Sequence, residues 1–200
     1  MAGRRIAAVV AVLAALPCAA APTGWHSYHD ARGFRVSFPA GWKADPSYHD
    51  DDYPTGDDPP PRLAALAIVP VEDLQPGTTL SSKDVRVLIL PLPPSRTVCA
   101  AWQFIAAPPP DFSSRLDAER PDYAHMTGDD PGGWYSYEDF VWRISTAPCV
   151  AVHYTIGYHA ADSDQAKSEK PFDRAALFAV LDAIRASVVL DATPPRQTER

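Results

Sequence analysis

Cys149-Val150-Ala151-Val152-His153-Tyr154-Thr155-Ile156-Gly157-Tyr158 decides the fold. Val150, Val152, Tyr154, Ile156 and Tyr158 alternate with Cys149, Ala151, His153, Thr155 and Gly157. A period of two is the signature of a strand with one face buried. Just upstream, Phe140, Trp142 and Ile144 alternate with Val141 and Arg143, and Ala147-Pro148 supplies the bend between the two runs. The spacing predicts an antiparallel pair at the centre of a sheet.

Working outward, Trp25 to Pro39 reads as a hairpin turning at Asp30-Ala31-Arg32-Gly33, with Phe34, Val36 and Phe38 on its inner face. Asp84 to Leu92 is β-branched and short, which predicts a central strand, and Arg62 to Val71 predicts another buried strand, with a short helix as the alternative. Val98, Trp102 and Ile105 fall at i, i+4, i+7 behind Ser95, predicting a helix from Arg96 to Ala106, with a strand through Val98-Cys99 and Phe104-Ile105 as the alternative. The proline-punctuated stretch from Pro108 to Pro131 reads as a long connection. Asp173 caps a final helix whose stripe is Leu177, Phe178, Leu181 and Ile184, and Val188-Val189-Leu190 follows as a short closing strand. Trp134, Tyr135 and Tyr137 put aromatics on both faces of one run, so the sheet is either covered on both sides or carries a recognition surface.

Residues 1–20 read as a secretory signal peptide. Arg4 and Arg5 precede the apolar run Ile6 to Leu16, then Pro17 and a set of small residues ending at Ala20. The run is too short to span a bilayer, and Pro17 argues against lipid attachment at Cys18. The expected compartment is periplasmic or secreted. There the two remaining cysteines, Cys99 and Cys149, are expected to form a disulfide. The stretch 45–61 holds six aspartates and five prolines and reads as an acidic, proline-rich loop, and 191–200 reads as a flexible tail.

Eighteen basic residues against 25 acidic ones give a net charge of −7. That balance excludes nucleic acid, whose phosphates demand a basic footprint, and anchoring to an anionic membrane surface. Six histidines invite a metal reading. Ser-Tyr-His-Asp occurs at 27–30 and again at 47–50, so His29, Asp30, His49 and Asp50 could converge beside the first hairpin. An EF-hand calcium loop from Asp50 fails, because Pro54, Thr55 and Pro61 stand where an acceptor, glycine and glutamate are required. Loose cation binding by Asp50, Asp51 and Asp52, or a merely solvated loop, remains open. His153 and His159 share one strand face with Cys149, as a polar face or as a catalytic pair. No P-loop, Gly-x-Ser-x-Gly or His-Glu-x-x-His motif is present, and no cofactor is indicated.

The phrase Gly33-Phe34-Arg35-Val36-Ser37-Phe38-Pro39-Ala40-Gly41-Trp42 resembles the opening hairpin of PsbP-like domains, named for an extrinsic subunit of photosystem II. Phe178 to Leu190 is similar to the helix and short strand that end them. The resemblance implies an α+β fold: a single-domain α/β sandwich over 21–190, its mainly antiparallel sheet covered by helices. It implies no shared catalytic motif. The expectation is therefore an exported, disulfide-bonded, non-enzymatic binding or accessory module whose partner is a protein, an envelope component or a small ligand. The alternative is a metal-dependent hydrolase using the histidines and aspartates near the first hairpin.

Overall fold

A computed structural model describes residues 24–48, 65–91, 99–105, 113–161 and 163–191. The signal-peptide expectation, His49, Asp50, Asp51, Asp52, most of the acidic loop and the tail beyond Asp191 lie outside the described residues.

The paired strands decide the architecture. Strands β1 (Trp25–Asp30), β2 (Phe34–Pro39), β3 (Trp42–Asp45), β4 (Leu66–Pro70) and β5 (Leu80–Pro91) precede a 3-10 turn at Ala101–Phe104. Then come β6 (Ser113–Glu119), β7 (Tyr123–Asp129), β8 (Tyr135–Thr146) and β9 (Cys149–His159), a second 3-10 turn at Ala166–Ser168, helix α1 (Arg174–Ala186) and β10 (Val189–Leu190). Seven strands form one antiparallel sheet in the order β3-β4-β5-β9-β8-β7-β6, and a smaller sheet runs β1-β2-β10. The expected β8–β9 pair is present, with Phe140 opposite Tyr154 and Trp142 opposite Val152.

The sandwich of a sheet covered by helices is overturned. Among the described residues the molecule is mostly strand, with two antiparallel sheets and a single α-helix. One face of the large sheet, here the helix side, is covered by α1 and the small sheet together. Phe34, Val36 and Phe38 of β2 and Leu177, Leu181 and Ile184 of α1 pack on Val87, Ile89, Val152, Tyr154 and Ile156. The first layer is thus half sheet, because the Phe34–Phe38 alternation buries a strand face where a helix was expected. Asp173 caps α1 by accepting from Ala176 N, as its position predicts. Ser187 at its end donates from Oγ to the Ser37 carbonyl, 2.9 Å, tying helix to small sheet.

The opposite face, here the far side, is where the second helix was expected. Within residues 99–105 the backbone makes one 3-10 turn. Ala101 and Phe104 are buried and Trp102 is 43% exposed. The buried spacing is therefore i, i+3, the period at which 3-10 side chains eclipse, and Trp102 belongs to no buried stripe. Ala101, Phe104, Ala65, Ala67, Leu88, Leu90, Val141 and Ala151 make up this second, smaller core.

The long connection expected over 108–131 instead contains the β6–β7 hairpin. Ala124 and Met126 of β7 are buried, alternating with half-buried Tyr123, His125 and Thr127. Small and polar residues there made a true period of two look like a loop. Tyr48 and Ala65, on either side of the undescribed stretch 49–64, are joined by Ala65 N donating to the Tyr48 carbonyl, 3.3 Å.

Candidate functional site

Cys99 and Cys149 are bonded, with an S–S length of 2.03 Å and Cα atoms 5.8 Å apart, as the sequence predicts. The bridge holds the Ala101–Phe104 turn against the far side. Arg143 Nη1 donates to the Cys99 carbonyl, 2.7 Å, and Ala101 N donates to the Pro121 carbonyl, 3.0 Å.

Strand alternation then divides the polar groups of β8. Glu138 turns to the helix side and Asp139 to the far side. Glu138 is buried, and Arg174, the first residue of α1, grips it with two bonds of 2.6 and 2.7 Å. Tyr158 Oη donates to it at 3.2 Å, and His125 Nε2 lies 3.3 Å away. Burial is the largest influence on the Glu138 carboxyl and pushes it up, but the Arg174 bonds and charge override it and hold the group below its usual value. The same pairing raises Arg174. Burial, with Glu138 next, pushes the Tyr158 hydroxyl up to about 12.

On the far side, His153 is 3% exposed. Its Nε2 donates to Asp139 Oδ1 at 2.7 Å, and Thr155 Oγ1 donates to the same oxygen at 3.0 Å. Among the described residues His153 Nδ1 is buried with no hydrogen-bond partner. With Nε2–H given to the carboxylate, Nδ1 is the acceptor of the neutral ring. Buried polar atoms are nearly always paired, so this nitrogen calls for a partner of its own.

Aromatic side chains border this dyad. Tyr137 lies over Gly128, and Tyr135 over Gly157; a Cβ at either glycine would collide with the tyrosine. Those two positions are glycine because the rings lie flat across the neighbouring strands. Burial, then Asp139 and Asp129, pushes the Tyr137 hydroxyl up to about 12. Burial, followed by Asp84, raises Tyr135 further. Arg86, opposite Thr155, donates from Nη1 to Tyr48 Oη at 2.6 Å. The far side therefore offers a buried acceptor and a carboxylate among half-buried tyrosines.

Other candidates are spent elsewhere. His29 Nε2 meets Asp191 Oδ2 at 2.9 Å on the surface, while Asp30 is buried and takes two side-chain bonds of 2.7 Å from Arg32. As consecutive strand residues they point to opposite faces, so no metal could take both. Burial is the largest influence on Asp30, pushing it up, and Arg32 reverses it to a net lowering. His159 Nδ1 is engaged by Glu169 Oε2 at 2.8 Å, apart from His153, so the two histidines form no pair. Among the described residues no group of three His, Cys, Asp or Glu side chains is placed to hold a metal. An open recess of about 390 Å³ lies at the β6–β7 edge, lined by Ser114, Arg115, Thr127 and Asp129, away from the dyad.

Sequence reasoning missed Glu138 and Asp139. The signal was available, since two consecutive acids inside an aromatic strand must place one on each buried face and each then needs a partner. No family model matches the chain, and no curated protein matches it.

Proposed function

We propose that this chain is an exported, disulfide-bonded binding or accessory module rather than an enzyme, and that it reads its ligand on the far side of the large sheet. The observation that carries the reading is His153 Nδ1, among the described residues a buried acceptor with no partner, on the sheet face that Asp139 and Tyr137 share. A site built to accept one hydrogen bond rejects ligands that lack the donor, because the buried group is then left unpaired. Among the described residues no serine or cysteine is hydrogen-bonded to His153, so the dyad has a base and an orienting acid without a nucleophile. Export is supported by the leader-like residues 1–20 and by the Cys99–Cys149 bridge. Among the described residues no helix is long and apolar enough to cross a membrane.

The test is a ligand screen by amide chemical shifts, using amines, amides, sugars and solubilised envelope fractions. Saturable shifts centred on β8 and β9, lost in Tyr137→Ala and His153→Leu and kept in Trp134→Ala, are expected. Turnover of ester, phosphoester or peptide substrates that disappears in His153→Ala would overturn the proposal in favour of a hydrolase.

A further inference from the structure

Among the described residues strand β6 is the outer edge of the seven-stranded sheet, paired with β7 on one side only. Its residues 114–117 and 119 are exposed. Such an edge is a template for another strand. Its two faces carry different chemistry. Arg115 and Asp117 lie on the helix side, ion-paired to each other, with Thr127 Oγ1 3.2 Å and His125 Nδ1 3.6 Å from Asp117 Oδ2. Leu116 lies on the other face and is 44% exposed, a large apolar side chain where edges usually carry charge.

We infer that β6 is a self-association edge, pairing antiparallel with β6 of a second copy about a two-fold axis at Leu116. In that register Arg115 stands opposite the partner subunit's Asp117, and Asp117 opposite the partner subunit's Arg115. Leu116 meets the partner subunit's Leu116 on the other face. Directly opposed charges of unlike sign stabilise a strand pair and like charges destabilise it. Centring the axis on Asp117 opposes two aspartates, and centring it on Arg115 opposes two arginines. Half-residue shifts set Leu116 against a charge. One register alone satisfies both faces, and it is isologous, so it closes as a dimer. The β6–β7 register shifts between Leu116 and Ala118, which limits regular pairing to a short central segment. The contact falls in the small class of interfaces, under about 1,200 Å² in total, so the dimer is concentration-dependent. It is independent of the ligand reading above.

Sedimentation velocity of the purified, disulfide-intact protein, from about ten micromolar to about one millimolar, tests this at the affinities such contacts reach. The weight-average sedimentation coefficient is expected to climb from monomer toward dimer. Arg115→Asp is expected to move the midpoint up by about tenfold, and Leu116→Lys likewise. The exchange Arg115→Asp with Asp117→Arg is expected to restore it, which a loss of folding would not allow. A monomer at every concentration overturns the inference. So does a dimer indifferent to both single substitutions, or an exchange variant that fails to recover.

Discussion

Glu138 and Asp139 stand side by side on β8 and meet opposite fates. Glu138 enters the helix side and is surrounded by Arg174, Tyr158 and His125. Asp139 enters the far side, where, among the described residues, its histidine partner keeps one ring nitrogen without a hydrogen bond. The helix side has a dedicated element to answer its charge, since Arg174 opens α1. Among the described residues the far side is covered by one turn of 3-10 backbone held through a disulfide. The difference teaches that covering a sheet and satisfying its polar groups are separate tasks, and that the face where only the first is complete is the place to look for recognition.

The largest break in this comparison comes from the cover. Replacing Cys99 and Cys149 together by serine frees a 50-residue loop and is expected to cost about 4 kcal/mol by guanidinium unfolding. Protection against hydrogen exchange should fall first in the far-side residues Leu88, Val141 and Ala151 and last under α1. Next comes the helix-side ion pair. Arg174→Met leaves Glu138 buried without its cation and is expected to cost about 2 kcal/mol, below the fully buried range because Arg174 is 47% exposed. The sign of the pH effect follows from the lowered Glu138 carboxyl. Its contribution is full above the unfolded value, about 4.3, and is lost as pH falls through the lower folded value. Urea titrations between about pH 2 and pH 6 should therefore show a flatter acid limb for Glu138→Gln than for the parent.

The far-side dyad sharpens the contrast. His153→Leu alone removes the donor facing Asp139 and is expected to cost about 2 kcal/mol. His153→Leu with Asp139→Leu is expected to cost about 1 kcal/mol or less, since two apolar groups leave nothing unpaired. Equal costs for the single and double variants would remove the reason for singling out this face. The smallest effect is spectroscopic. Tyr158 beside Glu138 and Tyr137 beside Asp139 both ionise near 12, and burial leads in each. Absorbance titration of Tyr158→Phe and Tyr137→Phe should each lose one late ionisation.

Several individual strands were legible. Phe34-Val36-Phe38 and the run from Val150 to Tyr158 alternate because one face is core, and Asp173 announces α1 because its carboxylate meets an orphan N–H. The pairing of Cys99 with Cys149 followed from compartment and count. The β6–β7 hairpin was illegible because Gly128 and His125 weaken the apolar period that marks a strand. The far-side turn was misread because i, i+4, i+7 spacing at Val98, Trp102 and Ile105 says nothing about which residues are buried. Of the candidate site, His153 was visible on its strand, but its partner was not. Asp139 is 14 residues away, and only the β8–β9 register brings it to Thr155 and the histidine ring.

The smaller sheet holds both ends of the described chain. β2 lies between β1 and β10, Asp191 N donates to the Gly33 carbonyl at 2.9 Å, and the Asp191 side chain meets His29. A polypeptide delivered from its amino end can assemble the β8–β9 hairpin early, yet it cannot finish this three-stranded patch before its last turn of helix and Leu190 have arrived. Completion of the fold is thereby coupled to synthesis through Leu190, and a product stopped short of Val189 leaves the outer edge of β2 open.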